Sequence, residues 1–105
     1  MSIRAEFFTE VYDIVKQIPF GKVLTYGDIA RLAGKPRYSR MVGQAMFNAP
    51  AHLHIPCHRV VNHKGETAPH WTEQKELLQQ EGITFRKNGR VDMRKHQWDT
   101  DLLLD

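Results

Sequence analysis

Apolar residues recur at helical spacing over residues 4–18, where Phe7, Phe8, Val11, Ile14, Val15 and Ile18 share one face. That period predicts an amphipathic helix packed on a core, and Pro19-Phe20-Gly21 ends it. Lys22-Val23-Leu24 reads as a short extended link. Thr25 suits the N-cap of a second helix running to Ala33, with Asp28 in its positively polarised first turn. Gly34 fits the left-handed residue beyond a helix end, and Pro36 forbids continuation. A third helix is predicted from about Arg37 to Phe47, with Val42, Ala45 and Met46 inward and Arg37 and Arg40 on its early turns.

Beyond Phe47 the pattern changes. Residues 49–61 read as a loop followed by an extended run centred on Ile55-Pro56-Cys57-His58-Arg59-Val60-Val61, and residues 62–69 are polar and turn-like. Thr72 is placed to cap a helix to Glu81, with Leu77 and Leu78 inward and Gly82 as its stop. Ile83-Thr84-Phe85 and Val91-Asp92-Met93 flank Asn88-Gly89, the signal of a type I′ hairpin. Arg94 to Trp98 form a last turn, and the tail from Asp99 to Asp105 is expected to fray. The sum is an α+β domain, mostly α, single over 1–105. It contains a small hairpin and a helix-turn-helix unit whose second helix would meet DNA.

Composition narrows the function classes. A chain of 105 residues that is 41% hydrophobic supports one core. The first residues lack the apolar core of a signal peptide, and no run is long enough to span a bilayer. The single cysteine, Cys57, has no internal disulfide partner, which suits a reducing compartment: cytoplasm, or nucleus in a eukaryote. The six histidines show no recognised zinc spacing, so neither a metal nor another cofactor is expected. The formal charge is only +3, yet between Asp28 and Glu66 there is no acidic residue. That interval carries Arg31, Lys35, Arg37, Arg40, Arg59 and Lys64, while the rest holds nine basic and twelve acidic residues. Such asymmetry is either a solvated basic face or a footprint for phosphates.

Pro56-Cys57-His58-Arg59 is the stretch with chemistry in it. A cysteine becomes a nucleophile when a base, a positive charge or a helix N-terminus stabilises its thiolate. His58 and Arg59 follow Cys57 directly, and Glu81 is a candidate to orient His58. On these residues alone a nucleophile and a small buried hydrophobe both remain open for Cys57.

Pro19-Phe20-Gly21-Lys22-Val23, Thr25-Tyr26, Ala33-Gly34, Arg40-Met41-Val42-Gly43 and Ile55-Pro56-Cys57-His58-Arg59-Val60-Val61 together resemble the C-terminal domain of O6-alkylguanine-DNA alkyltransferases and the related alkyltransferase-like proteins, over roughly residues 5–98. The resemblance implies that Cys57 accepts the alkyl group, that His58 deprotonates it through a water, and that Glu81 orients His58. It implies that Tyr26 crowds the target nucleotide's phosphate, that Arg40 enters the duplex in its place, and that the third helix lies in the minor groove. Lys35, Arg37 and Arg59 are then phosphate contacts. Tyr26, Pro56, Cys57, Val60 and Trp71 line the lesion pocket of a monomer bound to double-stranded DNA.

Two departures bear on this picture. Gly65-Glu66-Thr67-Ala68-Pro69-His70-Trp71 is shorter than the transferases' active-site loop and lacks its Gly- and Tyr-containing stretch, with His70 or Trp71 as the available substitutes. Ala49 stands where an asparagine is expected before Pro50. Alkyltransferase-like proteins, which flag lesions for excision repair, usually carry tryptophan or alanine where this chain keeps Cys57. The readings are therefore a lesion-binding protein that transfers the alkyl group once, a non-enzymatic damage sensor, and a helix-turn-helix regulator with a structural cysteine.

Overall fold

A computed structural model describes residues 2–101. Helix α1 (Ile3–Lys16) is capped by Ser2, whose hydroxyl accepts from the Ala5 amide at 3.1 Å. It buries Phe7, Val11 and Val15, leaving Phe8 and Ile14 half-buried. Strand β1 (Leu24–Thr25) leads into α2 (Tyr26–Leu32), and here the cap is reciprocal: Thr25 Oγ1 accepts from the Asp28 amide at 3.0 Å and Asp28 Oδ2 from the Thr25 amide at 3.2 Å. At Gly34 (φ 76°) the chain turns left-handed, which lets the Lys35 amide donate back to the Ala30 carbonyl at 2.9 Å.

Helix α3 (Ser39–Phe47) starts two residues later than the periodicity suggests. Arg37 therefore lies in the connecting turn, because the Tyr38 amide closes a turn on the Lys35 carbonyl first. The run predicted as extended is so only at β2 (Val60–Val61); Cys57–Arg59 is a single 3-10 turn. Helix α4 (Glu73–Gln80) buries Leu78 but leaves Leu77 half-buried. Thr72 does not cap it, since Thr72 is already helical (φ −65°, ψ −29°) and its side chain bonds no amide there.

The hairpin is also different. Phe85 and Val91 make one antiparallel bridge, the Arg86 amide meets the Arg90 carbonyl, and the Gly89 amide meets the Arg86 carbonyl. Only Gly89 is left-handed (φ 84°) and Asn88 is not, so the connection is a three-residue loop rather than a type I′ turn. Helix α5 (Met93–His96) follows. Asp99–Asp101 departs from the frayed tail expected, since Thr100 is buried; the remaining residues of that tail lie outside the described ones.

Strands β1 and β2 pair in parallel, Leu24 with Val60 and Thr25 with Val61. Because successive side chains of a strand point to opposite faces, this short pair forms a wall between two cores. Leu24 and Val60 join Phe7, Val11, Val15, Ile18, Ile29, Val42 and Ala45 on one side. Val23 and Val61 join Leu78, Ile83 and Val91 on the other. The Val23 backbone also bonds His96 and Trp98, which pins the C-terminal segment to the sheet edge.

Candidate functional site

The Cys57 segment is a compact turn. Pro56 (φ −80°, ψ 65°) centres an inverse γ-turn in which the Cys57 amide donates to the Ile55 carbonyl at 2.9 Å, and the 3-10 turn starts at once. A helical turn sends adjacent side chains in different directions, which an extended run of three would only alternate. Cys57 faces a pocket, whereas His58 and Arg59 both reach Glu81.

Glu81 is the hub of this region. Its Oε2 lies 2.6 Å from His58 Nε2, Arg59 donates from Nε to Oε1 and from Nη2 to Oε2, each at 2.9 Å, and the Gly21 amide donates to Oε1 at 2.9 Å. The Glu81 side chain is only 8% exposed. Burial opposes its ionisation, yet Arg59, the Gly21 amide and His58 outweigh that and hold its carboxyl down at about 2. An ionised carboxylate can only accept, so His58 Nε2 carries a proton and Nδ1 is the basic nitrogen of the neutral ring.

Arg59, expected as a phosphate contact, has its donors turned inward. Its Nη1 donates to the Ile18 carbonyl at 2.8 Å, its Cζ lies 5.8 Å from the Phe20 ring centre, and Nε and Nη2 donate to Glu81. The buried carboxylate requires a cation and takes this one.

The pocket above Cys57 encloses about 60 Å³ and is lined by Tyr26, Cys57, Val60 and Trp71, with His70 and Phe47 at its mouth. Pro56, expected in the lining, is spent on the γ-turn instead. Burial pushes the Cys57 thiol above its ordinary value against a weaker pull from a backbone hydrogen bond, so the free thiol is neutral at pH 7. Tyr26 is raised too, by burial and then by the neighbouring Cys57. Phe47 is 75% exposed and meets His70 edge-to-face with ring centres 5.6 Å apart.

Tyr26 belongs to two concavities. Besides the Cys57 pocket it lines an open hollow with Gly27, Ser39, Arg40, Gly43, Asn62 and His63. Arg40 stands exposed on the first turn of α3, and Lys35 and Arg37 are exposed on the turn before it. Among the described residues no group of three or more His, Cys, Asp or Glu is close enough to hold a metal ion, and no helix is long and apolar enough to cross a membrane.

Gln74 and Phe47 also line the pocket, and neither was legible in the sequence. Gln74 lines the pocket and is 1% exposed, although a glutamine in a polar helix carries no sequence signal of burial. Phe47 gives no signal either, since its exposure follows from where α3 ends.

Comparisons with known proteins agree with this geometry. Alkyltransferase-like protein 1 of Schizosaccharomyces pombe is 39% identical over 102 residues, covering 89% of this chain and 94% of that protein. The crystal structure of the same fission-yeast protein in complex with damaged DNA containing O6-carboxymethylguanine superimposes with a TM-score of 0.81 at 38% identity, over 94% of this chain and 99% of that one. Mycobacterium tuberculosis OGT in complex with DNA gives a TM-score of 0.66 at 27% identity, over 93% of this chain but only 56% of that one. Residues 6–83 match the family model described as the DNA-binding domain of 6-O-methylguanine DNA methyltransferase, and the chain belongs to that family.

Proposed function

We propose that the protein binds duplex DNA containing O6-alkylguanine, turns the damaged nucleotide out of the helix and holds it in the Cys57 pocket. The observation that carries this reading is the shared wall: Tyr26 and Gly43 line both the pocket and the hollow of Arg40. A nucleotide leaving the stack past Tyr26 enters the pocket while Arg40 is beside the gap. Extrusion costs a few kcal/mol, and the planar guanidinium of Arg40 offsets part of that by stacking between bases and bonding the orphaned partner. Lys35 and Arg37, exposed beside α3, supply phosphate contacts that position the protein without reading sequence. The site of action is then wherever DNA lies, cytoplasm or nucleus.

Within this reading the pocket supports one transfer to Cys57. The thiol proton passes to His58 Nδ1 through a water while Glu81 steadies Nε2. Sulfur then attacks the alkyl carbon, the carbon–O6 bond breaks with its electron pair going to guanine, and the guanine takes up a proton. The thioether is stable, so each molecule acts once. A second reading, lesion marking without transfer for excision-repair proteins to follow, is favoured by the raised Cys57 thiol and by the commitment of Arg59 to Glu81.

Intact-protein mass measurement after incubation with an O6-methylguanine duplex separates the two. A gain of one methyl on Cys57 supports transfer. Unchanged mass together with increased fluorescence of a 2-aminopurine beside the lesion supports marking. Neither a mass change nor a fluorescence rise overturns both.

A further inference from the structure

We infer that Gln74 is a specificity-determining positioning residue for the lesion pocket, the strut that fixes the distance between its wall and its floor; this rests on the lesion-binding reading above. Gln74 is the first-turn residue of α4 that points inward, 1% exposed. Its Oε1 accepts from the Ala68 amide at 2.7 Å, and its Nε2 donates to the Val60 carbonyl at 2.9 Å and the His58 carbonyl at 3.1 Å. One side chain thus satisfies an amide of the wall segment, Ala68–Trp71, and two carbonyls of the segment that carries Cys57. Both the wall and the floor line the same pocket, as does Gln74 itself.

Beyond these bonds the segment is held by the edge-to-face contact of His70 with Phe47. Glu66 is exposed, and its contacts run to Asn62 and Arg90, away from the pocket. The Ala68 carbonyl receives the Trp71 amide at 3.1 Å, which makes a local turn but no tie to the floor. If the Gln74 bonds are removed, one buried and two part-buried backbone groups lose that partner, and the segment must shift toward water to recover them. The wall that contacts the guanine substituent would move with it. Lys35, Arg37 and Arg40 lie on the first turn of α3 and the turn before it, at the opposite end of that helix from Phe47, which meets His70 of the shifting segment.

The test compares Gln74→Leu and Gln74→Glu with wild type, reading affinity for one duplex with and without O6-methylguanine. Gln74→Leu keeps the buried volume and removes all three bonds. It is expected to lower the damaged-to-undamaged affinity ratio by roughly tenfold, the effect of stranding one buried group, with undamaged-DNA affinity and salt dependence unchanged. Gln74→Glu, once ionised at high pH, places a carboxylate against two carbonyls and behaves alike. As the pH is lowered the neutral acid regains one donor and one acceptor, and discrimination returns while the wild-type ratio stays flat. Leu78→Val, a cavity in the same helix away from the segment, lowers stability but leaves the ratio intact.

A Gln74→Leu ratio equal to wild type, or a Leu78→Val ratio lowered as much, overturns the inference while the lesion preference of the wild type stands. A wild-type protein with no preference overturns the lesion-binding reading and this inference together. Should Gln74→Leu not fold, the pH-dependent return of discrimination in Gln74→Glu decides alone, and its absence overturns the proposal.

Discussion

Both halves of this domain have an apolar core, but only one adds a buried polar hub to it. On one side of the β1–β2 wall, α1, α2 and α3 pack a continuous apolar cluster, and the cations outside it, Lys35, Arg37 and Arg40, are exposed. On the other side a single carboxylate, Glu81, gathers Gly21, His58 and Arg59, while Gln74 ties down three backbone groups. The same residue type therefore has opposite fates. Arg37 and Arg40 on the apolar half stand exposed to solvent, whereas Arg59 neutralises a buried acid. The difference teaches that basic residues count as a DNA-binding surface only after the internal acids have been assigned their partners.

Core truncation gives the largest expected effect. Ile29, fully buried among α1, α2 and α3, should cost about 4 kcal/mol on Ile29→Ala. Chemical denaturation at pH 7 and pH 4 should show the same loss, because no titrating group is involved. A loss that varied with pH would break the contrast between the halves.

Glu81→Gln should destabilise by about 3 kcal/mol at pH 7, since the carboxyl lies at about 2 in the folded protein against an ordinary 4.5. The sign follows from a depressed acid: its contribution is complete above 4.5 and is lost as pH falls from there toward 2. Wild type and Glu81→Gln should therefore converge in stability across that window. Parallel curves down to pH 2 would show that Glu81 is not the electrostatic hub.

The helical half was legible in the sequence because its period is long and its stops are strong. Phe7, Val11, Val15 and Ile18 fell on one face as expected, and Thr25 with Asp28 built the cap. The Cys57 region was legible as chemistry but not as geometry. The run 55–61, read as extended, ends in the β-branched Val60-Val61, yet Pro56 centres a γ-turn and the Cys57–Arg59 turn follows. Glu81 was named as the candidate partner of His58 and the resemblance agreed, while its second partner, Arg59, came from neither pattern nor resemblance. Adjacent residues share a distant partner only when a tight turn rotates both toward it, and that turn was not read. Likewise Asn88-Gly89 signalled a hairpin correctly, but one left-handed residue instead of two lengthened its loop.

Smaller effects fall on the DNA-facing side. Arg40→Ala should leave stability unchanged, because Arg40 is exposed, and reduce the preference for damaged over undamaged duplex by roughly tenfold, the worth of a stacked guanidinium. An unaltered ratio would remove Arg40 from the account of flipping. Lys35→Ala should weaken both duplexes together by a few-fold and lower the salt slope by about one at most. An unchanged slope would place Lys35 off the DNA.

The central claim, that the pocket beside Tyr26 and Cys57 receives a flipped O6-alkylguanine, is tested most directly by equilibrium binding to one duplex sequence carrying either O6-methylguanine or guanine at a single position, at fixed salt. The account predicts at least roughly tenfold tighter binding to the damaged duplex, since one well-made pocket contact is worth that much. Equal affinity for the two duplexes would contradict it.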